Sequence, residues 1–138
     1  MSQSAELILE SLDRVSEILD DPSAPVYERL FEEYPQFKGL FRFEGNGDLA
    51  RKNMFQVTVV ALMEHLEGKY SSANVVKTER MNHAHIGVPN EFFDRYYEVV
   101  RDTFRDLLGD EWTPQTQAAW DEAIEGLISA TPYLAEAG

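Results

Sequence analysis

The residues best suited to chemistry lie in MNHAHIGVPNEFF, Met81 to Phe93, where His83 and His85 precede a Gly and a Pro; the third histidine, His65, belongs to a different stretch. Imidazole ligates metals and moves protons near neutral pH, so each is a candidate. In a helix, two residues turn the side-chain direction by about 200°, which puts His83 and His85 on different faces. His83 shares its face with Arg80, Glu79, Val76 and Val75, including the apolar pair near the helix start. His85 shares a more polar one with Asn82, Met81, Thr78 and Lys77. His83 is therefore expected to point inward and His85 outward. An inward histidine near a helix C-terminus is either a polar group satisfied by a backbone carbonyl or a single metal ligand. A helical zinc site would show a second ligand three or four residues away; with no cysteine, and His65 on another element, zinc is not expected.

The elements that must position these residues read as helical throughout. Ile8, Leu12, Val15 and Leu19 recur at steps of three and four from Ala5 to Leu19. A break at Asp20-Asp21-Pro22-Ser23 follows, with Ser23 expected to cap a helix from Val26 to Tyr34. Gln36 to Phe41 reads as a further helical turn. Gly45-Asn46-Gly47-Asp48 reads as a loop whose Asp48 caps the next element. Leu49 to Leu66 contains neither Gly nor Pro. Its centre, VTVVAL, is β-branched, but the run is too long for a strand, and Phe55, Val59, Leu62 and Leu66 keep helical spacing. A weaker helix is expected from Asn74 to His85. Asn90 is expected to cap a strong one carrying Phe92, Tyr96, Val99 or Val100, Phe104, and Leu107 or Leu108. Thr113-Pro114 predicts the cap and first residue of a last helix with Trp120, Ala123, Ile124, Leu127 and Ile128. The sum is an all-α domain of six to eight helices with no sheet.

Composition narrows the functions. A chain of 138 residues allows one domain. A net charge of −13 argues against nucleic acid or an anionic membrane surface as partner. The absence of cysteine removes disulfides, thiolate catalysis and iron–sulfur clusters. No apolar run approaches the ~20 residues of a membrane span, and no secretory signal is visible, so a cytoplasmic protein is expected. Acidic residues are plentiful, but none pairs with a histidine on a shared helical face in a way that suggests acid–base work. One inward histidine is nevertheless all that a haem iron requires on its proximal side.

With that spacing in view the chain resembles a globin, and most closely the single-domain bacterial haemoglobins and the haem domain of flavohaemoglobins. VYERLFEEYPQFKGLF is similar to their second and third helices, HAHIGV to the end of their proximal helix, and LLGDEWTPQTQAAWDEAIEGL to their last corner and final helix. The resemblance runs from about Ala5 to about Tyr133 and rests on Phe41, His83 and Trp120 occurring in order on the right helices. It implies a globin fold over residues 1–138, haem b as cofactor, and His83 as proximal iron ligand, with Val88 and Phe93 among the residues that bind the haem. Phe41 matches the phenylalanine that packs on the haem face, and Phe55 the apolar residue over the iron. Tyr27 matches the tyrosine that donates its hydroxyl to bound oxygen, which carries partial negative charge.

Two positions depart from the family pattern. The usual distal His or Gln falls on Arg51, or on Lys52 if the loop shifts by one. Such a side chain could stay in water, pair with a haem propionate or reach toward a bound anion, and a lysine could bind the iron if neutralised. On the proximal side, the tyrosine and glutamate that buttress the histidine in flavohaemoglobin-like members fall on Phe93 and on Ala135, beside Glu136. Without them the push from His83 should be weaker, with its second ring N–H going to a backbone carbonyl near Glu79.

The resemblance implies reversible binding of O2, and of NO and CO, for storage, transport or scavenging. It also implies oxidation of NO to nitrate if a separate reductase supplies electrons. A self-contained enzyme is not expected. The alternative is a globin-fold sensor or partner-binding module without haem.

Overall fold

The computed structural model describes residues 3–36, 47–68, 71–85 and 87–131. Its described elements are α1 (Gln3–Ile18), α2 (Ser23–Glu33), α3 (Gly47–Leu66), α4 (Ser71–His85), α5 (Asn90–Leu108), a 3-10 turn (Gly109–Glu111) and α6 (Pro114–Ala130), and among the described residues there is no strand. The β-branched run VTVVAL is helical, as its length demanded, although Val57 and Val60 remain largely exposed.

The core forms where the most amphipathic helices meet. On α5, Tyr96, Val99, Val100, Thr103, Phe104 and Leu108 are buried at helical steps. They face Val26, Tyr27 and Leu30 of α2 and Ala119, Trp120, Ala123, Ile124 and Leu127 of α6 in one cluster. α1 lies along α6, and α3 spans between α4 and α6. Trp120 is fully buried at the centre, with its ring 5.6 Å from Phe104. Its indole N–H donates to Ser11 Oγ on α1 at 3.0 Å, so the largest core side chain has its one polar group satisfied. α3 also approaches α6 closely, and a Cβ at Gly126 would sit 2.4 Å from the tip of the His65 ring. His65 is therefore a packing residue between these two helices.

Capping agrees with the sequence at one helix and differs at others. Thr113 caps α6, its Oγ1 accepting from the Thr116 N–H at 3.0 Å, with Pro114 in the first turn. Ser23 is not a cap: it begins α2 itself, and its N–H donates back to Asp21 Oδ1 at 3.1 Å. The Ser23 hydroxyl donates to the same Asp21 oxygen, so its side chain turns back upstream and does not cap the helix. Asn90 is not a cap either. It opens α5, and its carboxamide oxygen accepts instead from the Arg80 guanidinium. Asp48 lies inside α3, which starts one residue earlier.

Charge is arranged around the same helices. Arg95, Arg101 and Arg105 surround the buried Asp102 on α5 at 3.6, 2.9 and 3.4 Å, and Arg95 and Arg101 reach on to Glu33 of α2 and Asp121 of α6. Arg29 pairs with Asp106, and Arg14 with Glu17 and Glu111.

The Ser11–Trp120 bond gives a direct test of this core. Ser11→Ala leaves the indole N–H without its acceptor and should destabilise the fold by about 1–3 kcal/mol, read as a lower urea midpoint at unchanged slope.

Candidate functional site

α4 is built unlike the other helices. Among its described residues the buried side chains are Val76 and Arg80, with His83 half-buried one turn on, so a charge shares the inward side with a single buried valine. Val76 is buried as expected, whereas Val75, expected beside it, is 45% exposed. His83 is half-buried and His85 exposed, which is the separation that helical geometry required.

His83 is oriented by its own helix. Its Nδ1 lies 2.7 Å from the Glu79 carbonyl oxygen. A carbonyl only accepts, so Nδ1 carries the proton and the neutral ring presents its lone pair at Nε2. The Glu79 carboxylate also comes within 3.9 Å of Nδ1, an i,i+4 neighbour that the sequence reading did not pair with His83. The shorter contact to the main chain fixes the tautomer.

The end of α4 returns the chain toward this ring. The Val88 N–H donates to the His83 carbonyl at 2.9 Å and the Gly87 N–H to the Ala84 carbonyl at 3.1 Å. Gly87 has φ +93°, the left-handed position of such a helix terminus. α5 then begins at Asn90, and Phe93 meets His83 edge-on with ring centroids 5.2 Å apart. Phe93 has no hydroxyl to offer the imidazole, so its contact is steric and quadrupolar only.

From Phe93 the aromatic contacts continue along α5 to Tyr97 at 6.0 Å, Tyr96 at 6.3 Å, and across to Tyr27 of α2 at 5.7 Å. The structure thus joins Tyr27, Phe93 and His83 through one aromatic row. The Tyr96 hydroxyl donates to that of Tyr27 at 3.1 Å, and both side chains are buried. Burial holds the Tyr96 hydroxyl well above its ordinary pKa, reinforced by Tyr27. Tyr97 is raised as well, chiefly by burial, with Arg80 acting in the opposite direction.

The remaining expected residues are not all brought to this row. Phe55 is half-buried on α3 and packs on Phe104 at 6.0 Å, one step from Trp120. Lys52 is exposed, the ordinary disposition of a lysine on a helix surface. Val88 is half-buried and serves the helix terminus through its N–H. Phe41, Ala135, Glu136 and the side chain of Arg51 lie outside the described residues.

Sequence reasoning missed Tyr96 and Arg80. Tyr96 was legible as a core aromatic, but its hydroxyl partner is 69 positions away in the chain. Arg80 was recognised as a neighbour of His83, yet an arginine is ordinarily read as solvated. Its side chain is 2% exposed and lies 2.7 Å from Asp94, a pairing that only the return of α5 creates.

The donor chemistry suits haem. Among the described residues no three His, Asp or Glu side chains converge as a bare metal ion would require. A single imidazole with Nδ1 committed and Nε2 available is what a proximal haem ligand needs.

Comparison with known proteins identifies the family. The globin family model matches residues 24–131, and the chain belongs to the globin family. It is 25% identical to a protein of Oryza sativa subsp. japonica named anaerobic nitrite reductase, over 91% of this chain and 88% of the rice protein. It is 24% identical to the flavohemoprotein of Bacillus subtilis (strain 168), over 75% of this chain but 26% of that longer protein. It is 25% identical to the hemoglobin larval subunit beta-1 of Xenopus laevis, over 79% of this chain and 74% of the subunit. The globin fold and a haem-binding role follow from the family. No described helix is long and apolar enough to cross a membrane.

The buried phenols make a pH prediction. A pKa raised in the fold means the unfolded chain releases its protons first as pH rises. The stability contributed by neutral Tyr96 and Tyr97 should be complete below about pH 10 and be lost above it. Urea midpoints should therefore fall on the alkaline side. Phenolate absorbance of the folded protein should show a late-titrating group that Tyr96→Phe and Tyr97→Phe each diminish.

Proposed function

We propose that this chain is a single globin domain that binds haem b through His83 and takes up O2, NO or CO. The observation that carries the reading is the His83 tautomer: the Glu79 carbonyl holds the Nδ1 proton, leaving Nε2 as a ligand. Haem supplies an iron with an open position for a diatomic molecule.

The protein's own part is to hold and discriminate. Phe93 limits rotation of the His83 ring from one side, while the Glu79 carbonyl aligns it from its own helix. Tyr27 would be the hydrogen-bond donor to the bound ligand. The Tyr27 hydroxyl accepts from Tyr96, which holds the phenol in place, and a phenol O–H is the kind of donor that stabilises a ligand carrying partial negative charge. A buried phenol O–H is a better donor for O2, which develops such charge, than for CO, which develops little.

Phe55 and Phe41 are the proposed apolar walls, with Arg51, or Lys52, at the solvent edge. The physiological role proposed is ligand storage, transport or scavenging. Oxidation of NO to nitrate would draw electrons from an external reductase, a partner class suggested by the likeness to flavohemoproteins.

Two measurements test this. Purified protein mixed with haemin should develop a Soret band that His83→Ala abolishes or converts to a weakly held form. No band, or one indifferent to that substitution, rejects the haem reading and favours a globin-fold module that binds something else. Tyr27→Phe should speed O2 release by about 5- to 100-fold, as loss of one buried hydrogen bond would, with a much smaller effect on CO.

A further inference from the structure

Arg80 is the most completely buried charge beside the proposed ligand. Its guanidinium lies over the face of Phe93, 4.6 Å from the ring centroid, and that ring in turn stands edge-on to His83. Nη1 contacts Asp94 and the Asn90 carboxamide oxygen at the start of α5. Nη2 lies 3.4 Å from Thr131 Oγ1 at the end of α6. Nε has no hydrogen-bond partner, and Asp94 Oδ1 approaches at ion-pair distance without hydrogen-bond geometry.

The pair is unevenly screened. Arg80 is 2% exposed, whereas Asp94 keeps 26% of its side-chain surface, so solvent damps the carboxylate more than the cation. The other anion near His83, Glu79, is 46% exposed and damped further. Tyr97, whose hydroxyl also senses Arg80, Asp94 and Glu79, is neutral. The least screened charge near the imidazole is therefore positive.

Resting on the haem reading above, we propose that Arg80 is a positioning residue that sets the electron donation of His83: it clamps Phe93 against the ring, and its charge, less screened by solvent than that of its partner Asp94, withdraws electron density from the imidazole. A nearby cation disfavours the extra positive charge of ferric iron, so the buried guanidinium holds the site toward the ferrous state that takes up O2 and CO. It works against oxidative turnover.

The test uses the haem-loaded full chain and two substitutions of opposite sign. Arg80→Gln removes the cation, and Asp94→Asn removes its counter-charge with almost no change of shape. At a fixed applied potential, the ferrous-to-ferric ratio should fall at least about threefold in Arg80→Gln and rise by a similar factor in Asp94→Asn. The iron–imidazole stretching frequency should move upward in the first and downward in the second. Arg80→Lys, which keeps the charge but not the planar stack, should restore most of the ratio. Shifts of the same sign in both variants, or none, would overturn the proposal, since a purely structural loss has no reason to reverse with the sign of the charge removed. If Arg80→Gln fails to fold, Asp94→Asn decides alone: a rise supports the proposal and anything else rejects it. Failure of the haem reading looks different, because the wild-type chain would then show no Soret band; intact bands with unmoved potentials reject the role of Arg80 alone.

Discussion

Gly87 adopts a φ of +93°, and through that one torsion the chain leaves α4 and enters α5 so that Phe93 comes back against His83. A Cβ at this position would meet nothing within 4 Å, so the requirement for glycine is conformational and not a matter of space. The reversal fixes more than one contact. It brings Asn90 and Asp94 to Arg80, and it sets the register in which Tyr96 and Tyr97 follow Phe93 along α5 toward Tyr27. Both halves of the site are thus referred to the direction in which one helix begins.

Polar contacts do much of the fastening at α4, because few of its residues are apolar. Where α1, α5 and α6 meet through Ile8, Phe104 and Trp120, α4 has Val76 in the core and Arg80 linking to α5 and Thr131. A buried ion pair of this kind adds little net stability, because desolvation offsets most of its attraction, yet it strongly disfavours any packing in which the charges part. The helix bearing the proposed ligand is accordingly held in place by specificity more than by burial. A hydrophobic α4 could slide or rotate by small steps; one anchored through a guanidinium has few alternatives.

Much of this was legible in the sequence where a single period or a local rule decides. The apolar steps of α1, α5 and α6 gave those helices, Thr113-Pro114 gave the α6 cap, and the rotation between His83 and His85 separated an inward from an outward ring. The Glu79 carbonyl as partner of His83 was also foreseen, since it lies one turn back on the same helix. What escaped was non-local. Asn90 looked like a cap because its preferred local role is capping, and only the approach of Arg80 from another helix redirects its side chain. Arg80 was read only as a neighbour of His83, because the carboxylate that pairs with it, Asp94, belongs to another helix. Tyr96 looked like plain core because a hydroxyl's partner on another helix leaves no periodic trace.

Arg14, Arg29, Arg80, Arg95, Arg101 and Arg105 each spend their charge on a nearby carboxylate. In a chain of net charge −13, that leaves the molecule wrapped in a negative potential with much of its positive charge already engaged. A small anion approaching it moves uphill and arrives more often as salt is added, while an uncharged gas crosses the same field without work. The ion pairs that brace α2, α5 and α6 from within therefore also set the terms on which the surrounding solution can reach the protein.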